Sequence, residues 1–483
     1  MAPPRWNCRA GATLPVAARV TRPIVRPARM LHRDSAMRVL ITDGDERSSL
    51  AAARSLVRAG HLVHVAAPGP RSLAGVSRGV VAHAIGPDPL ADAGEFARTV
   101  IGLVEREGIE LLLPMTDPSV EALLERRADL PREVGLPFPD LATYRAASDK
   151  ARVVTLAAQC GFGIPETWLL VNRAAADAAT YDPSFFPGVV KPHRSVIAVG
   201  QARRKVAVTR VADAVACRRA LSALPDEAFP VLVQKHVRGV GEGFFGMRWG
   251  GRMVAAFAHR RLREKPPAGG VSVYRESIPL DPRLSGPGVR LLEALHWTGV
   301  AMIECRREIE TGREVIMEVN GRFWGSLELA IDAGVDFPAL LARCAAGESV
   351  PGPVPYKEGV RSRWFWGDVD SLYQRLGERS PGSRRARLRA VLSFLRWNPI
   401  RDREEIWRWR DPGPFLLETA RWFRAALARL IPGRAGARSK SKAEPRESPP
   451  GSGARSDAPR AACPPRPARS SPAGAGAPAK ARR

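Results

Sequence analysis

The chain has 483 residues, 45% of them hydrophobic and 26% charged, a globular balance whose length allows several domains. No apolar run approaches the roughly 18–20 residues of a bilayer-spanning helix, and the six isolated cysteines form neither a CxxC pair nor a disulfide framework, so a helical membrane protein, a zinc module and a small secreted scaffold are excluded. The formal charge of +26, taken alone, suggests a nucleic-acid binder.

Residues 1–36 carry +6 with no hydrophobic period and are expected to form a disordered basic leader, the first clear strand opening at Met37. Residues 37–142 alternate strand and helix. A β-branched run at 38–42 precedes a helix over 46–59, with Leu50, Ala53, Leu56 and Val57 at helical spacing and Gly60 as its stop. A strand at 62–66, a helix over 96–107 stopped by Gly108, and a strand at 109–115 follow. Such a βαβ series predicts a parallel sheet. Its first turn holds one glycine, Gly44, and three acids, Asp43, Asp45 and Glu46, which would repel a pyrophosphate. A dinucleotide-binding dehydrogenase is therefore a poor reading.

Residues 143–356 change to α+β. A helix is expected over 149–159 and strands at 167–171, 188–191 and 230–236. Strands at 244–248 and 253–258 form a hairpin around Gly250 and Gly251, and a helix spans 286–296. Strands at 301–306 and 314–320 turn at Thr311 and Gly312, and a helix over 326–346 is interrupted at Gly334. Residues 271–277 read as a loop that offers Tyr274 and Arg275 to an anion. Residues 357–430 are rich in Arg and Trp and read as a helical appendix, with amphipathic helices over 384–395 and 415–430. With Trp397, Trp407, Trp409 and Trp422 nearby, residues 371–430 suit peripheral contact with an anionic membrane. Residues 431–483 carry +9 in a Pro/Gly/Ser/Ala/Arg-rich tail that cannot bury enough apolar surface to order itself.

The excess charge thus sits toward the ends, and neither tail interleaves it with aromatic residues. Nucleic acid is not the expected partner. A cytoplasmic location is expected. Composition holds a second clue. Only nine of the 75 basic residues are lysines. Where arginine replaces lysine so freely, a retained lysine marks a position that wants a compact ammonium. Six lie between 37 and 430: Lys150, Lys191, Lys205, Lys235, Lys265 and Lys357.

The chemistry-bearing signal is acidic. Glu304 lies in an apolar strand, and Glu318 and Asn320 lie in another. Residues two apart in a strand share a face, so Glu318 and Asn320 project together and Glu304 can join them from the neighbouring strand. Three oxygen donors among apolar neighbours are costly to bury without compensation, which a hard cation such as Mg²⁺ supplies. Arg322 follows at the next same-face position and could meet a phosphate or carboxylate in bidentate fashion.

The run Met317-Glu-Val-Asn-Gly-Arg-Phe-Trp-Gly-Ser326 resembles the metal-binding signature of the ATP-grasp superfamily, especially carboxylate–amine ligases and carbamoyl-phosphate-synthase-like proteins. The resemblance covers about residues 38–350. It implies an N-terminal parallel-sheet (pre-ATP-grasp) domain and an ATP-grasp domain, ahead of the C-terminal helical appendix read above. It further implies that Lys150 and Lys191 reach the nucleotide phosphates. The backbone at Lys235 and Val237, with the side chain of Gln234 or Lys235, would read adenine, and Glu242 would accept the ribose hydroxyls. Lys265, in the Gly/Pro-rich segment 261–270, would ride on a mobile loop closing over the phosphates. After Lys191 the segment 192–200 has glycine only at its end, so Arg194 could substitute in the phosphate cap.

The implied cofactors are ATP and Mg²⁺, with Mn²⁺ as the alternative metal, held by Glu304, Glu318 and Asn320. The implied activity is an ATP-dependent ligase in which Lys191 and Arg322 stabilise phosphoryl transfer to a small-molecule carboxylate. An amine or similar nucleophile then attacks the acyl phosphate. The other reading is a non-catalytic nucleotide-binding or assembly protein on the same fold. Intact Glu304, Glu318, Asn320 and Arg322 argue against it. No motif encodes the substrate's identity or the oligomeric state.

Overall fold

Four short strands begin the described chain, and helices cover the three of them that are apolar on both faces. The computed structural model describes residues 36–199, 202–267, 269–377, 383–396, 398 and 401–430. The tail 431–483, Trp397, Gly200 and all but the last residue of the leader lie outside the described residues. The chain divides into two units, 1–425 and 426–483, and the second is described only in the last residues of one helix.

Strand β1 (Arg38–Ile41), helix α1 (Arg47–Arg58), β2 (Leu62–Ala67), β3 (Val80–Ile85), α2 (Ala93–Glu107), β4 (Leu111–Leu113) and α3 (Asp117–Glu125) build the N-terminal domain. Its sheet is parallel, in the order β3-β2-β1-β4, as the alternating pattern predicts. Val39 and Ile41 face one core and Leu40 the other, the double burial that parallel sheets require. Asp92 caps α2 by accepting from the Glu95 N–H, and Gly108 ends it in the left-handed conformation at φ 60°. Strand β3 and helix α3 were not legible in the sequence. β3 is largely solvent-facing, and α3 follows β4 with a one-turn apolar pattern.

Helices α4 (Leu141–Ser148) and α5 (Lys150–Gln159) lead into a small antiparallel sheet. Its elements are β5 (Thr167–Leu170), α6 (Arg173–Asp177), β6 (Gly188–Pro192), the hairpin β7 (Val196–Val199) and β8 (Ala202–Lys205), β9 (Thr209–Val211), α7 (Ala214–Ser222) and β10 (Val231–Lys235). The order is β5-β10-β6-β9. Val190, Val231 and Val233 pack on the helices of this layer. Strand alternation therefore sends Val189, Lys191 and Gln234 out of the opposite face.

Seven strands form the main sheet, in the order β15-β14-β11-β12-β13-β16-β17. They are β11 (Gly239–Trp249), β12 (Arg252–Lys265), β13 (Val271–Ser277), β14 (Gly299–Glu308), β15 (Glu314–Asn320), β16 (Arg361–Arg363) and β17 (Asp402–Glu404). Helices α8 (Pro282–Ala294), α9 (Leu327–Ala333), α10 (Phe337–Ala345), α11 (Phe365–Gly377), α12 (Ser383–Leu395) and α13 (Gly413–Leu430) complete the fold. The β11–β12 turn uses Gly250 and Gly251 at φ 55° and 81°, the doubly positive pair that a tight hairpin demands. Gly334, at φ 111°, divides the helix expected over 326–346 into α9 and α10.

Two expected loops are strands. Residues 261–265 continue β12, and residues 271–277 are β13. Their charged residues look solvent-bound in sequence but are paired across the fold. Arg263 binds Asp368 at 2.6 Å, Lys265 binds Asp370, and Arg275 is fully buried against Glu405. Arg275 and the buried Tyr274 are thus structural and do not wait for an anion.

Residues 357–430 supply β16 and β17 to the main sheet as well as α11–α13. The indole N–H groups of Trp364, Trp366 and Trp422 donate to Glu418, Thr419 and Asp370, and Trp366 stacks on Trp422 at 4.3 Å. These three rings are committed to the fold rather than to a membrane. Trp409, by contrast, is 86% exposed. No described helix is long and apolar enough to cross a membrane.

The segment after β17 clasps the N-terminal domain. Asp411 accepts from Arg54 Nε at 2.8 Å, Ser77 Oγ at 2.6 Å and the Arg78 N–H at 2.9 Å. Asp411→Ala strands the guanidinium of Arg54, which is 6% exposed. The expected loss is about 3 kcal/mol of stability, read as a lower denaturation midpoint.

Candidate active site

A cleft of about 410 Å³ lies between the cleft faces of the small sheet and the main sheet. Val189, Lys191, Gln234 and Lys235 line one wall; Met302, Glu304, Glu318 and Asn320 line the other. Antiparallel register sets Glu304 opposite Glu318 and Met302 opposite Asn320, with a bulge just after Glu304. The three expected metal-ligating side chains therefore share one surface.

Each already has a protein partner. Arg261 Nη2 binds Glu304 at 2.6 Å, Asn320 Nδ2 donates to Glu318 Oε1 at 3.1 Å, and Lys150 Nζ stands 3.6 Å from Glu318 Oε2. Burial pushes the Glu318 carboxyl upward, but Lys150, the Asn320 amide and Lys191 together hold it below its ordinary value. It is therefore ionised at neutral pH. Two carboxylates and an amide oxygen are the hard donors that Mg²⁺ prefers, so the residues fit such an ion. Among the described residues no group of three or more His, Cys, Asp or Glu side chains is arranged around a metal position. A Mg²⁺ site here would rely on the Asn320 amide.

Lys191 is 8% exposed and makes no hydrogen bond or ion pair among the described residues. Burial pushes its ammonium down to about 8; Glu318 opposes the shift and Lys150 adds to it. Lys150 sits one wall further in, where a small recess also touches Glu318. Asp149 caps α5, the Lys150 N–H donates to the His193 carbonyl at 2.9 Å, and Nζ donates to Ser195 Oγ at 2.9 Å. The loop after β6 and the start of α5 are thereby tied together. Arg194 is not available for the phosphate cap, because it is paired with Glu121 at 2.6 Å.

At the hinge between the sheets, Gln234 is 2% exposed. Its Nε2 donates to Thr167 Oγ1 at 3.1 Å, while Oε1 is buried with no partner. The Lys235 N–H is taken by the Glu166 carbonyl at 2.9 Å, and among the described residues no hydrogen bond engages the backbone of Val237. Val237 thus keeps an open donor and acceptor beside Pro165, Val189 and Met302, an edge-and-slab arrangement suited to a flat heterocycle.

Two expected residues are placed elsewhere. Glu242 belongs to β11, where alternation turns it away from the cleft. It is 5% exposed, and Arg307 Nη2 binds it at 3.1 Å beside Glu314 and Asp281. Burial pushes its carboxyl upward. Its neighbours Gly241 and Gly243 are ladder positions of the same strand. Lys265 pairs with Asp370 and lies 5.2 Å from the Trp364 ring centroid, outside the cleft lining.

Arg322 lines the cleft, but its Nε binds Asp117 at 3.0 Å, its Nη1 the Phe323 carbonyl at 2.9 Å and its Nη2 Asn320 Oδ1 at 3.2 Å. Desolvation depresses this guanidinium, yet Asp117, Tyr144 and Glu46 together more than offset it and hold it above its usual range. The sequence did not single out Arg261, His259 or Arg47, which also line the cleft. His259 and Arg261 alternate along β12 in a stretch whose charge hid it. Arg47 is one arginine among 66 with no local motif.

No protein-family model matches the chain, and no curated protein matches it. Among solved structures it is similar to the L-amino acid ligase of Bacillus licheniformis, at 16% identity over 65% of this chain and 75% of that one, with TM-score 0.50. It is similar to the Campylobacter jejuni biotin carboxylase, solved as a complex with β-γ-ATP, at 14% identity over 67% and 74%, with TM-score 0.53. A third is the biotin carboxylase domain of the Hydrogenobacter thermophilus 2-oxoglutarate carboxylase, solved with MgADP, ADP and bicarbonate. There the identity is 12% over 68% and 74%, with TM-score 0.51. At such identities the likeness shows the fold, and the fold is ATP-grasp, as the motif around Glu318 implies.

Proposed function

We propose that this protein is an ATP- and Mg²⁺-dependent ligase. It would transfer the γ-phosphoryl group of ATP to a small-molecule carboxylate, releasing ADP and leaving an acyl phosphate. An amine or similar nucleophile then displaces phosphate to give the product. The observation that carries this reading is the facing of an unpartnered, buried Lys191 across the cleft from Glu304, Glu318 and Asn320. A buried ammonium without a partner is costly, and a phosphate supplies one.

The roles follow from position. Val237 and the free Gln234 Oε1 would receive the adenine edge. Lys191 and Lys150 would hold phosphate oxygens by point charge. Glu304, Glu318 and Asn320 would hold Mg²⁺, which when bound neutralises the phosphate charge. Arg322, braced by Asp117 from the N-terminal domain, keeps Asn320 oriented toward the cleft. Positioning and electrostatics carry phosphoryl transfer, so no nucleophilic triad is required.

The test is a screen of carboxylates and amines with MgATP, following ADP and phosphate. The expected result is ADP release that depends on one acid and is unchanged by EDTA-matched buffer lacking chelator but abolished by EDTA. Absence of MgATP binding by calorimetry at millimolar nucleotide would overturn the reading.

A further inference from the structure

The cleft has an end that the phosphate and adenine roles leave unused. Arg47, at the start of α1, reaches it from the N-terminal domain. Its Nη1 donates to Glu405, its guanidinium lies 4.1 Å from the Trp364 ring centroid, and Nη2 rests against Gly325, where a Cβ would stand only 2.8 Å away. Glu405 is itself held by the fully buried Arg275. Three groups from distant parts of the chain thus fix one guanidinium.

Its Nε–Nη2 edge makes no hydrogen bond among the described residues, and 13% of the side chain remains exposed. Arg210, which also lines the cleft, is engaged with His236 at 3.0 Å, and three further arginines of the lining are more committed. Arg322 has all three nitrogens bonded, and Arg261 is bonded to Glu264, Glu304 and the Gly270 carbonyl. Arg306 is bonded to the Gly239 carbonyl and Glu264. The wall beside Arg47 is uncharged. His259 donates to or accepts from Ser326 Oγ at 2.9 Å, and burial keeps its imidazole neutral. Phe245 stacks on His259 at 4.5 Å and packs on Trp324 at 4.4 Å, whose indole N–H is buried without a partner.

One open guanidinium edge beside a neutral wall suits a single carboxylate, which it can grip in bidentate geometry. We propose that Arg47, not Arg322, anchors the carboxylate that this protein activates, and that the substrate is a small monocarboxylic acid. The proposal rests on the ligase reading above. It adds the group that recognises the acid and the positioning of that group by Glu405, Trp364 and Gly325.

The experiment uses the full chain, MgATP, and a panel of proteinogenic amino acids, short-chain monocarboxylic acids, dicarboxylic acids and phosphorylated acids. With the acid that turns over, Arg47→Gln is expected to raise its KM about 10- to 100-fold, the loss of a charged hydrogen-bonded pair. The KM for ATP should stay within about twofold by the same reasoning. Arg47→Lys should recover part of the loss. Gly325→Ala, which crowds Nη2 without removing charge, should raise the acid's KM severalfold and serves if Arg47→Gln folds poorly. An acid KM unchanged in Arg47→Gln and Gly325→Ala overturns the assignment, as does turnover only with dicarboxylic or phosphorylated acids. So does an equal loss of ATP binding in Arg47→Gln, which would mark a structural role. MgATP binding to the unmodified protein separates the two levels: its absence removes the ligase reading itself, whereas its presence with an unaffected acid KM removes only Arg47.

Discussion

Glu318→Gln is expected to lower ADP release by about two to three orders of magnitude while leaving a folded protein. Glu318 lines both the cleft and the recess around Lys150, as Asn320 does beside it. It takes an amide hydrogen bond from Asn320 and is the acidic neighbour of both Lys150 and Lys191. Neutralising it would replace an anionic oxygen donor by a weaker neutral amide oxygen, and it leaves two ammonium groups with less to offset them. The Lys191 ammonium, already lowered to about 8, loses the largest influence that raises it. Phosphate affinity should therefore begin to fall at lower pH in the variant than in the parent. Single-turnover ADP release and nucleotide calorimetry across pH measure both effects. Parent-like turnover in Glu318→Gln would remove the metal and phosphate roles assigned to this wall.

Lys191→Met should give a protein that is inactive and more stable. Burial lowers the ammonium from 10.5 to about 8, a penalty of about 3 kcal/mol against folding at neutral pH. The sign follows from proton counts. Between about 8 and 10.5 the unfolded chain binds the proton and the folded chain does not, so the parent gains stability as pH rises through that window. Below it the full penalty is present. Methionine matches the length of the stem among Val189 and Met302 and carries no charge. The expected outcome is a melting temperature raised by a few degrees at pH 7 and ADP release lowered by about two orders of magnitude. In the parent, ATP affinity should decline by up to about tenfold per pH unit above the Lys191 value, because only the ammonium form grips phosphate. The variant should lack that limb. A destabilised variant with an unchanged pH profile would show that Lys191 is packed for structure.

The legibility of the chain was uneven for physical reasons. Glu304, Glu318 and Asn320 could be read because strand alternation and one hairpin turn bring them together within a short span. Three strands of the parallel N-terminal sheet could be read because they are apolar on both faces, and the solvent-facing β3 could not. Strands β12 and β13 were hidden where buried ion pairs imitate solvent-facing loop chemistry, as at Arg261, Arg263, Lys265 and Arg275. Glu242 was expected at the nucleotide through the family resemblance alone, whereas the ladder that begins at Gly239 turns it to the other face. Arg47 left no local trace, since its partners Gly325, Trp364 and Glu405 are supplied by remote strands and turns.

That last arrangement bears on how the molecule is made. Arg47 and Glu405 are 358 positions apart, and Asp45 meets Arg421 at a separation of 376. A ribosome emits the chain from its N-terminus, and early segments fold before late ones exist. The N-terminal domain can gather its own parallel sheet at once, but the end of the cleft stays unbraced until β17 and the segment through Arg421 have emerged. A nascent chain stalled short of that point would carry the phosphate-facing lysines and carboxylates without a fixed grip for the acid. On the proposed role of Arg47, emergence of the segment through Arg421, rather than formation of the cleft walls, would be the step that completes the grip on the acid.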